Sequence, residues 1–345
     1  MTYKVTIEST NHTFTVKEGQ TILDAALEQD IVLPYSCRTG SCTGCKGRVV
    51  TGEYESGPGT ETLVPEQGRA VGECLFCETK PLSDLVIQVR EVRLASDIQV
   101  KKMPVRVSEM KKVADDVMVV HLQTPGSEAF RYEPGQYIEF ILKDGSRRAY
   151  SLATCPVEGA LIELHIRHMP GGIFTDYVFG VGSSAMKVRE ILRLEGPLGS
   201  FFLRKDSDKP MIFLASGTGF APLKAMMEEV IDTGITRPIS LYWGGRRPAD
   251  LYMMDLCRSW EEQLPNFKFI PVVSDAQSED NWQGRTGFVH AAVLEDISDL
   301  SGYQVYACGA PIVVSSAREA YAKAGLPAEE FYADSFTSAA DVPKA

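Results

Sequence analysis

No apolar run in these 345 residues is long enough to cross a bilayer; "MIFLA" at 211–215 is typical of what is present. Basic runs are missing too. With a formal charge of −11, the chain is a poor match for nucleic acid, which is bound chiefly by neutralising phosphates with Lys and Arg. The same lack argues against an anionic membrane surface. The opening "MTYKVTIEST" has no apolar signal-peptide core and goes straight into an alternating pattern, so the expected compartment is the cytoplasm. Repeats and low-complexity tracts are absent. What remains is 44% hydrophobic and 23% charged, the balance of a globular chain, with length for two or three domains.

Cysteine, by contrast, is crowded. Cys37, Cys42 and Cys45 all fall within "PYSCRTGSCTGCKGRV", and Cys74 and Cys77 follow about thirty residues later. Structural disulfides are rare in a reducing cytoplasm, which leaves metal or redox chemistry. The spacing Cys37-x4-Cys42-x2-Cys45 with a distant fourth cysteine is the plant-type [2Fe–2S] arrangement, and soft thiolates suit it. The small residues of "RTGS" and "TG" let the loop fold over a cluster with backbone N–H groups aimed at sulfur. The competing set is a zinc ribbon, Cys42-x2-Cys45 with Cys74-x2-Cys77, a non-redox binding module that leaves Cys37 without a role.

Three rhythms divide the chain at 1–95, 103–205 and 206–345. The first has a hairpin at 3–7 and 13–16 and a helix in "GQTILDAALEQD" with Ile22, Ala25, Ala26 and Leu27 on one side. It ends on the strand "LSDLVIQVREV". A linker, "RLASDIQVKKMP", runs to Pro104. The second is built of short strands between Gly/Pro turns, as in a small antiparallel barrel, with a helix near 173–180. In the third, strands alternate with helices, implying a mainly parallel sheet. There "PMIFLASGTGFAPLKAMMEEVIDTG" reads as buried strand, glycine turn and amphipathic helix. The tail "SFTSAADVPKA" is expected to be loose beyond its first few residues.

The strand "RRAYSLAT" contains Arg148-x-Tyr150-Ser151. The ring could stack on an isoalloxazine, the hydroxyl hydrogen-bond near its N5, and the guanidinium pair with a pyrophosphate. Alone, so short a motif also describes an exposed Arg and a packed Tyr. "PGGIFTDYV" puts Gly172, Ile173 and Thr175 at a helix start, an anion site or a plain turn. "FLASGTGFAPLKAM" puts Gly217, Thr218 and Gly219 between strand and helix, with Pro222 where the third glycine of a Rossmann fingerprint would stand.

Residues 1 to about 93 resemble the plant-type ferredoxins in the order of hairpin, helix, cysteine loop and "CETKPLSDLVI". The resemblance implies a β-grasp-like α+β domain with Cys37, Cys42, Cys45 and Cys77 as cluster ligands and Cys74 as a small buried side chain. Residues 103–340 resemble the ferredoxin–NADP reductase superfamily through 148–151, 217–222 and Cys308-Gly309-Ala310-Pro311. That implies FAD on an antiparallel β-barrel, held by Arg148, Tyr150 and Ser151 with phosphate contacts from His165, Ile166, Arg167, Gly172, Ile173 and Thr175. It also implies a nicotinamide on an α/β parallel-sheet domain near Gly217, Thr218, Gly219, Pro222, Cys308, Gly309 and Pro311. Phe336 would pack on the flavin or in the core. Tyr150, Ser151, Cys308 and Phe336 would then orient the reacting rings rather than act as acids or bases.

The domain order is similar to the reductases of multicomponent oxygenases and to the CDP-6-deoxy-4-hexulose-3-dehydrase reductases, and nearer the second group. The similarity implies an NAD(P)H:acceptor oxidoreductase that passes electrons via FAD and [2Fe–2S], one at a time, to a partner protein. That partner would be an oxygenase hydroxylase component or a sugar dehydrase, and an acidic surface would steer a basic patch on it. NADH is the implied donor, with NADPH left open by Arg246 and Arg247. A redox-sensing module is the alternative.

Overall fold

The computed structural model describes residues 1–94, 98–126, 130–156 and 161–336. The tail and the middle of the linker, for which looseness and a connecting role were expected, lie outside them. The chain forms two compact units. One is Met1–Gln99 with Gly199–Phe201 and the stretch from Asp334; the other is Val100–Leu198 with Phe202–Ala333.

The smaller unit is a five-stranded sheet in the order Thr13–Lys17, Thr2–Ile7, Leu85–Gln88, Lys46–Thr51, Glu73–Leu75. Its first two strands are an antiparallel hairpin with Val5 opposite Phe14, and Thr2–Ile7 runs parallel to Leu85–Gln88. Helix Ile22–Glu28 starts at Thr21, whose hydroxyl accepts the Asp24 N–H at 3.1 Å. It buries Ile22, Leu23, Ala25 and Ala26, so Leu23 takes the fully buried place expected of Leu27, which only flanks the core. Beyond the sheet, Arg93–Leu94 pairs with Ile31–Val32.

In the larger unit, Pro104 lies inside the long strand Lys101–Ala114 rather than closing a linker. The strand tolerates it because Pro104 pairs with Arg193 of Ile191–Leu198, whereas pairing with Val117–Gln123 begins only at Arg106 among the described residues. Six antiparallel strands follow in the order Arg147–Ser151, Tyr137–Ile141, Ile191–Leu198, Lys101–Ala114, Val117–Gln123, Ile162–Arg167. A bridge between Leu152 and Leu164 joins the ends of that order and closes the barrel. Its interior is apolar, with Val107, Val120, Leu122, Ile138, Phe140, Leu164, Ile166 and Leu194.

The second sheet of this unit runs Arg285–Thr286, Phe267–Val273, Ile239–Gly245, Met211–Ser216, Gln304–Gly309, Phe331–Ser335. The pairs from Met211–Ser216 outward to Arg285–Thr286, and to Gln304–Gly309, are parallel. Strand order reverses between Met211–Ser216 and Gln304–Gly309, and ligands of open parallel sheets bind at such a reversal, outside the carboxyl ends of the strands. Helix Phe220–Thr233 leaves this point, and it is not amphipathic as expected. It is buried nearly all round, Lys224 and Glu229 included, because those charges are consumed in ion pairs with Glu163 and Lys205. Among the described residues no helix is long and apolar enough to cross a membrane.

Candidate functional site

In the smaller unit the cysteine loop is built against the end of the sheet. The Cys37 and Cys42 thiols lie against each other, and so do those of Cys45 and Cys77, with Cys42 close enough to Cys45 to act on it electrostatically. Sharing with Cys42 pulls the Cys37 thiol down to about 5, whereas sharing with Cys37 and burial push Cys42 up. Cys45 is pushed up by Cys77 and by burial. Backbone N–H groups of Thr39 and Gly44 point at the Cys37 and Cys42 sulfurs, both at 3.4 Å.

Two pairs are what a two-iron cluster takes, since its four thiolates divide between two irons. Structural zinc wants four ligands around one point. Among the described residues no three ligating side chains are gathered around a single ion. Cys74 is bonded by Thr79, and burial raises it to about 11. The residues present therefore fit a [2Fe–2S] group better than a zinc ribbon.

Glu78 was not apparent from sequence. Its carboxylate accepts the Gly59 N–H at 3.1 Å and the Thr60 N–H, and so props the neighbouring turn. Gly40 faces it with φ of +69°, and a Cβ there would lie 2.5 Å from Glu78 Oε2. Ser36, next to Cys37, donates to Asp334, and the Tyr35 N–H donates to Ser200 Oγ at 2.8 Å.

In the larger unit, Arg148, Tyr150 and Ser151 sit on Arg147–Ser151 at the barrel's end strand. The Tyr150 ring meets Phe140 at 6.0 Å and Phe174 at 5.5 Å. Arg148 Nη1 donates to its neighbour's carbonyl, Arg147 O, at 2.7 Å. Helix Ile173–Phe179 begins at Gly172, and the Thr175 hydroxyl turns back to Met169, accepting its N–H at 3.2 Å and donating to its carbonyl at 2.9 Å.

Alternation along Ile162–Arg167 separates the next three candidates. Ile166 points into the barrel core, while Glu163, His165 and Arg167 face the other way. The His165 ring is committed: Nε2 lies 2.7 Å from Glu163 Oε1 and Nδ1 2.8 Å from the Tyr252 hydroxyl. A carboxylate only accepts, so Nε2 carries the proton and Nδ1 accepts from Tyr252. Only backbone of His165 and Ile166 is left for a ligand. Glu163 also takes His121 Nε2 at 3.1 Å and Lys224 Nζ at 3.1 Å, and Lys224 reaches Glu228 at 2.5 Å and donates to Ala153 O at 3.0 Å. Burial works against the Glu163 charge, but His121, His165 and Lys224 together hold its carboxyl well below the usual range. No local pattern marks this network, because its members come from five separate segments.

Arg167 reaches the glycine turn, where a Cβ on Gly217 would lie 2.8 Å from its guanidinium. Asp116 stands 3.0 Å from Nε, yet Nε and Nη2 are buried without an aligned hydrogen bond. A half-buried guanidinium over a glycine turn, with two nitrogens lacking an aligned hydrogen bond, fits a pyrophosphate. Gly219 is pressed against the neighbouring strand end: a Cβ would sit 2.1 Å from Cys308 O. Beneath the turn, Trp243 Nε1 donates to Gly217 O at 2.9 Å and stacks on Phe220 at 4.0 Å. Thr218 is buried, Pro222 lies in the first turn of Phe220–Thr233, and Cys308 is 1% exposed at the end of Gln304–Gly309. Pro311 opens helix Pro311–Lys323. The reversal of strand order thus gathers Gly217–Gly219 and Cys308–Gly309 at one edge. Arg246 lies apart from them, exposed beyond Ile239–Gly245. Phe336 follows Phe331–Ser335 and is 36% exposed, so it does not pack in a core.

Residues 5–82 match the 2Fe-2S iron-sulfur cluster binding domain family, 104–203 the oxidoreductase FAD-binding domain family and 213–319 the oxidoreductase NAD-binding domain family. The chain is 38% identical over 336 residues to a CDP-6-deoxy-L-threo-D-glycero-4-hexulose-3-dehydrase reductase of Yersinia pseudotuberculosis, covering 97% of this chain and 99% of that one. It is 34% identical over 342 residues to reductase component 1 of a Comamonas terephthalate 1,2-dioxygenase, covering 98% of each. The crystal structure of an Amycolatopsis cytochrome P450 reductase, GcoB, superposes with a TM-score of 0.77 at 30% identity, covering 97% of this chain and 99% of that one.

Proposed function

We infer the function of this chain from a premise of kinship: it belongs to the iron–sulfur flavoprotein reductases, in which a 2Fe–2S domain precedes FAD-binding and NAD-binding oxidoreductase domains. It is an NAD(P)H-dependent electron-transfer reductase. When bound, FAD exchanges electrons in pairs with a nicotinamide and singly with an iron–sulfur cluster, which lets a hydride donor feed a one-electron acceptor. We place the domains at 1–95, 103–205 and 206–345.

The protein's own contribution is to bind, orient and exclude water. Cys37, Cys42, Cys45 and Cys77 would hold the cluster, with the Thr39 and Gly44 N–H groups offsetting charge on its sulfurs. Tyr150 and Ser151 would face the flavin ring, and Arg148 and Arg167 would take phosphate oxygens. The Gly217–Gly219 turn and Cys308 would seat the nicotinamide, since only glycine permits so close a backbone approach. The observation that carries this reading is the coincidence, in one chain, of two thiol pairs with an arginine guanidinium, Arg167, set over a glycine turn.

The acceptor we propose is a CDP-sugar 3-dehydrase, the partner that the relative at 38% identity is named for. Anaerobic mixing of the NADH-reduced protein with such a dehydrase, or with an oxygenase component, tests it. Electron delivery to the dehydrase supports the proposal, and delivery only to the oxygenase component refutes it. Eight cysteines, all free among the described residues, suit the reducing cytoplasm.

Gly219→Ala tests the nicotinamide seat. The added carbon meets backbone, which cannot swing aside, so KM for NADH should rise about tenfold or more with FAD content retained. Steady-state kinetics beside a flavin absorbance ratio checks this. An unchanged KM would move the nicotinamide elsewhere.

A further inference from the structure

Two adjacent arginines follow strand Ile239–Gly245, and the fold treats them differently. In nucleotide-binding α/β sheets the group beyond the second strand of the unit reads the ribose 2′ position. A carboxylate there accepts the 2′-hydroxyl, while a guanidinium accommodates a 2′-phosphate. Met211–Ser216 is the first such strand here and Ile239–Gly245 the second.

The Arg247 guanidinium is already occupied. Nε donates to Asp280 Oδ2 at 2.7 Å, and Nη2 donates to Asp280 Oδ1 at 2.8 Å and to Glu279 Oε1 at 3.1 Å. This forked geometry is the strong form of an arginine–carboxylate pair. Asp280 is itself anchored, its Oδ2 accepting the Gln277 N–H at 2.9 Å. Pairing with Arg247 lowers the Asp280 carboxyl, so the clamp stays ionised. Asp250 Oδ2 accepts the N–H groups of Arg246 and Arg247 at 2.7 and 3.0 Å, and the Arg246 side chain stands exposed with no side-chain bond among the described residues.

The corner therefore holds the carboxylates of Asp250, Asp275, Glu279 and Asp280 against the guanidiniums of Arg246, Arg247 and Arg167, the last 3.7 Å from Asp250. A 2′-phosphate would bring further negative charge to this acidic surface. It would have to break the Arg247 fork or rely on Arg246, a single solvated charge of small worth. We propose that Asp280 and Glu279 are specificity-determining residues: by holding the Arg247 guanidinium they deny it to a 2′-phosphate, and the protein selects NADH over NADPH. This rests on the reading of the chain as an NAD(P)H-dependent reductase.

The test is kcat/KM for NADPH relative to NADH, with ferricyanide as acceptor, in the native protein, Asp280→Asn, Glu279→Gln/Asp280→Asn and Arg246→Ala. Calorimetric binding of AMP and of 2′-phospho-AMP gives a second readout that needs no turnover. The native protein should favour NADH, and AMP over its 2′-phosphate, by about tenfold or more. The double variant should raise the NADPH/NADH ratio about tenfold, Asp280→Asn should raise it less, and Arg246→Ala should not raise it. Equal use of both nucleotides by the native protein overturns the inference. So does a double variant, folded by circular dichroism, in which neither ratio moves. If neither nucleotide reduces the flavin, the reductase reading itself fails, and the AMP comparison still decides the role of the clamp.

Discussion

Cys45→Ala should strip the protein of bound iron and lower NADH-driven cytochrome c reduction by about a hundredfold or more, while ferricyanide reduction persists. Cys45 is buried and lies against Cys77. Its loss leaves three thiols for two irons, and removing only an outer-sphere partner of a metal site already costs about 10–100-fold. The flavin-binding barrel and nicotinamide-binding sheet belong to a different compact unit, so two-electron chemistry there does not depend on the thiol. Cys74→Ala is the contrast, because that thiol bonds Thr79. It should keep its iron and show at most a modest packing loss. Iron analysis and visible spectra decide both. Full iron in Cys45→Ala would remove Cys45 from the ligand set, and iron lost on removing Cys74 would bring Cys74 into it, as in the zinc-ribbon set.

Glu163→Ala should destabilise the larger unit by about 3–5 kcal/mol, the cost of breaking a buried ion pair by removing one partner. The carboxylate is the hub for His121, His165 and Lys224, and the Lys224 side chain has 8% exposure. Without Glu163, the Lys224 charge keeps only Glu228. All three tryptophans, Trp243, Trp260 and Trp282, lie in the nicotinamide-binding segment, so their fluorescence in a urea titration reports on this unit. Glu163→Gln/Lys224→Met should recover part of the loss, since uncharged packing can replace a buried pair. A loss below about 1 kcal/mol in Glu163→Ala would show the network to be solvated.

The pH dependence has a definite sign. Burial depresses the folded-state value of His165, so the unfolded chain binds its proton first and stability falls as pH drops below about 6.5. Glu163 is depressed as well, and its contribution is intact above about 4.3 and lost further into acid. His121 runs the other way. The hydrogen bond to Glu163 raises it, so its contribution is complete below about 6.5 and lost as pH rises through the raised value. In Glu163→Ala that alkaline loss should shrink, leaving what Glu109 supplies from 3.8 Å away.

Local rules carried much of the architecture. Alternation revealed the opening hairpin, glycine turns separated the barrel strands, and the strand–turn–helix rhythm of 211–233 exposed the parallel sheet. Cysteine spacing likewise pointed to the loop, while the choice of Cys77 over Cys74 came from the resemblance and the pairing of the thiols from the fold. What stayed hidden depends on distant segments meeting. Lys224 looked like the polar face of a helix until Glu163 arrived from the barrel to bury it. His165 read as a ligand contact because its partner Tyr252 is far along the chain. Arg247 left NADPH open because Glu279 and Asp280, which hold its guanidinium, lie more than thirty positions later. Pro104 suggested a break, yet it sits in a strand before the pairing with Val117–Gln123 begins.

The most direct test is an anaerobic NADH titration of the purified protein, followed by visible absorbance and low-temperature EPR. Flavin bands and cluster absorbance that both bleach, with a rhombic signal from the reduced cluster, are the predicted result. A flavin that bleaches with no cluster signal, together with zinc in elemental analysis, would contradict it.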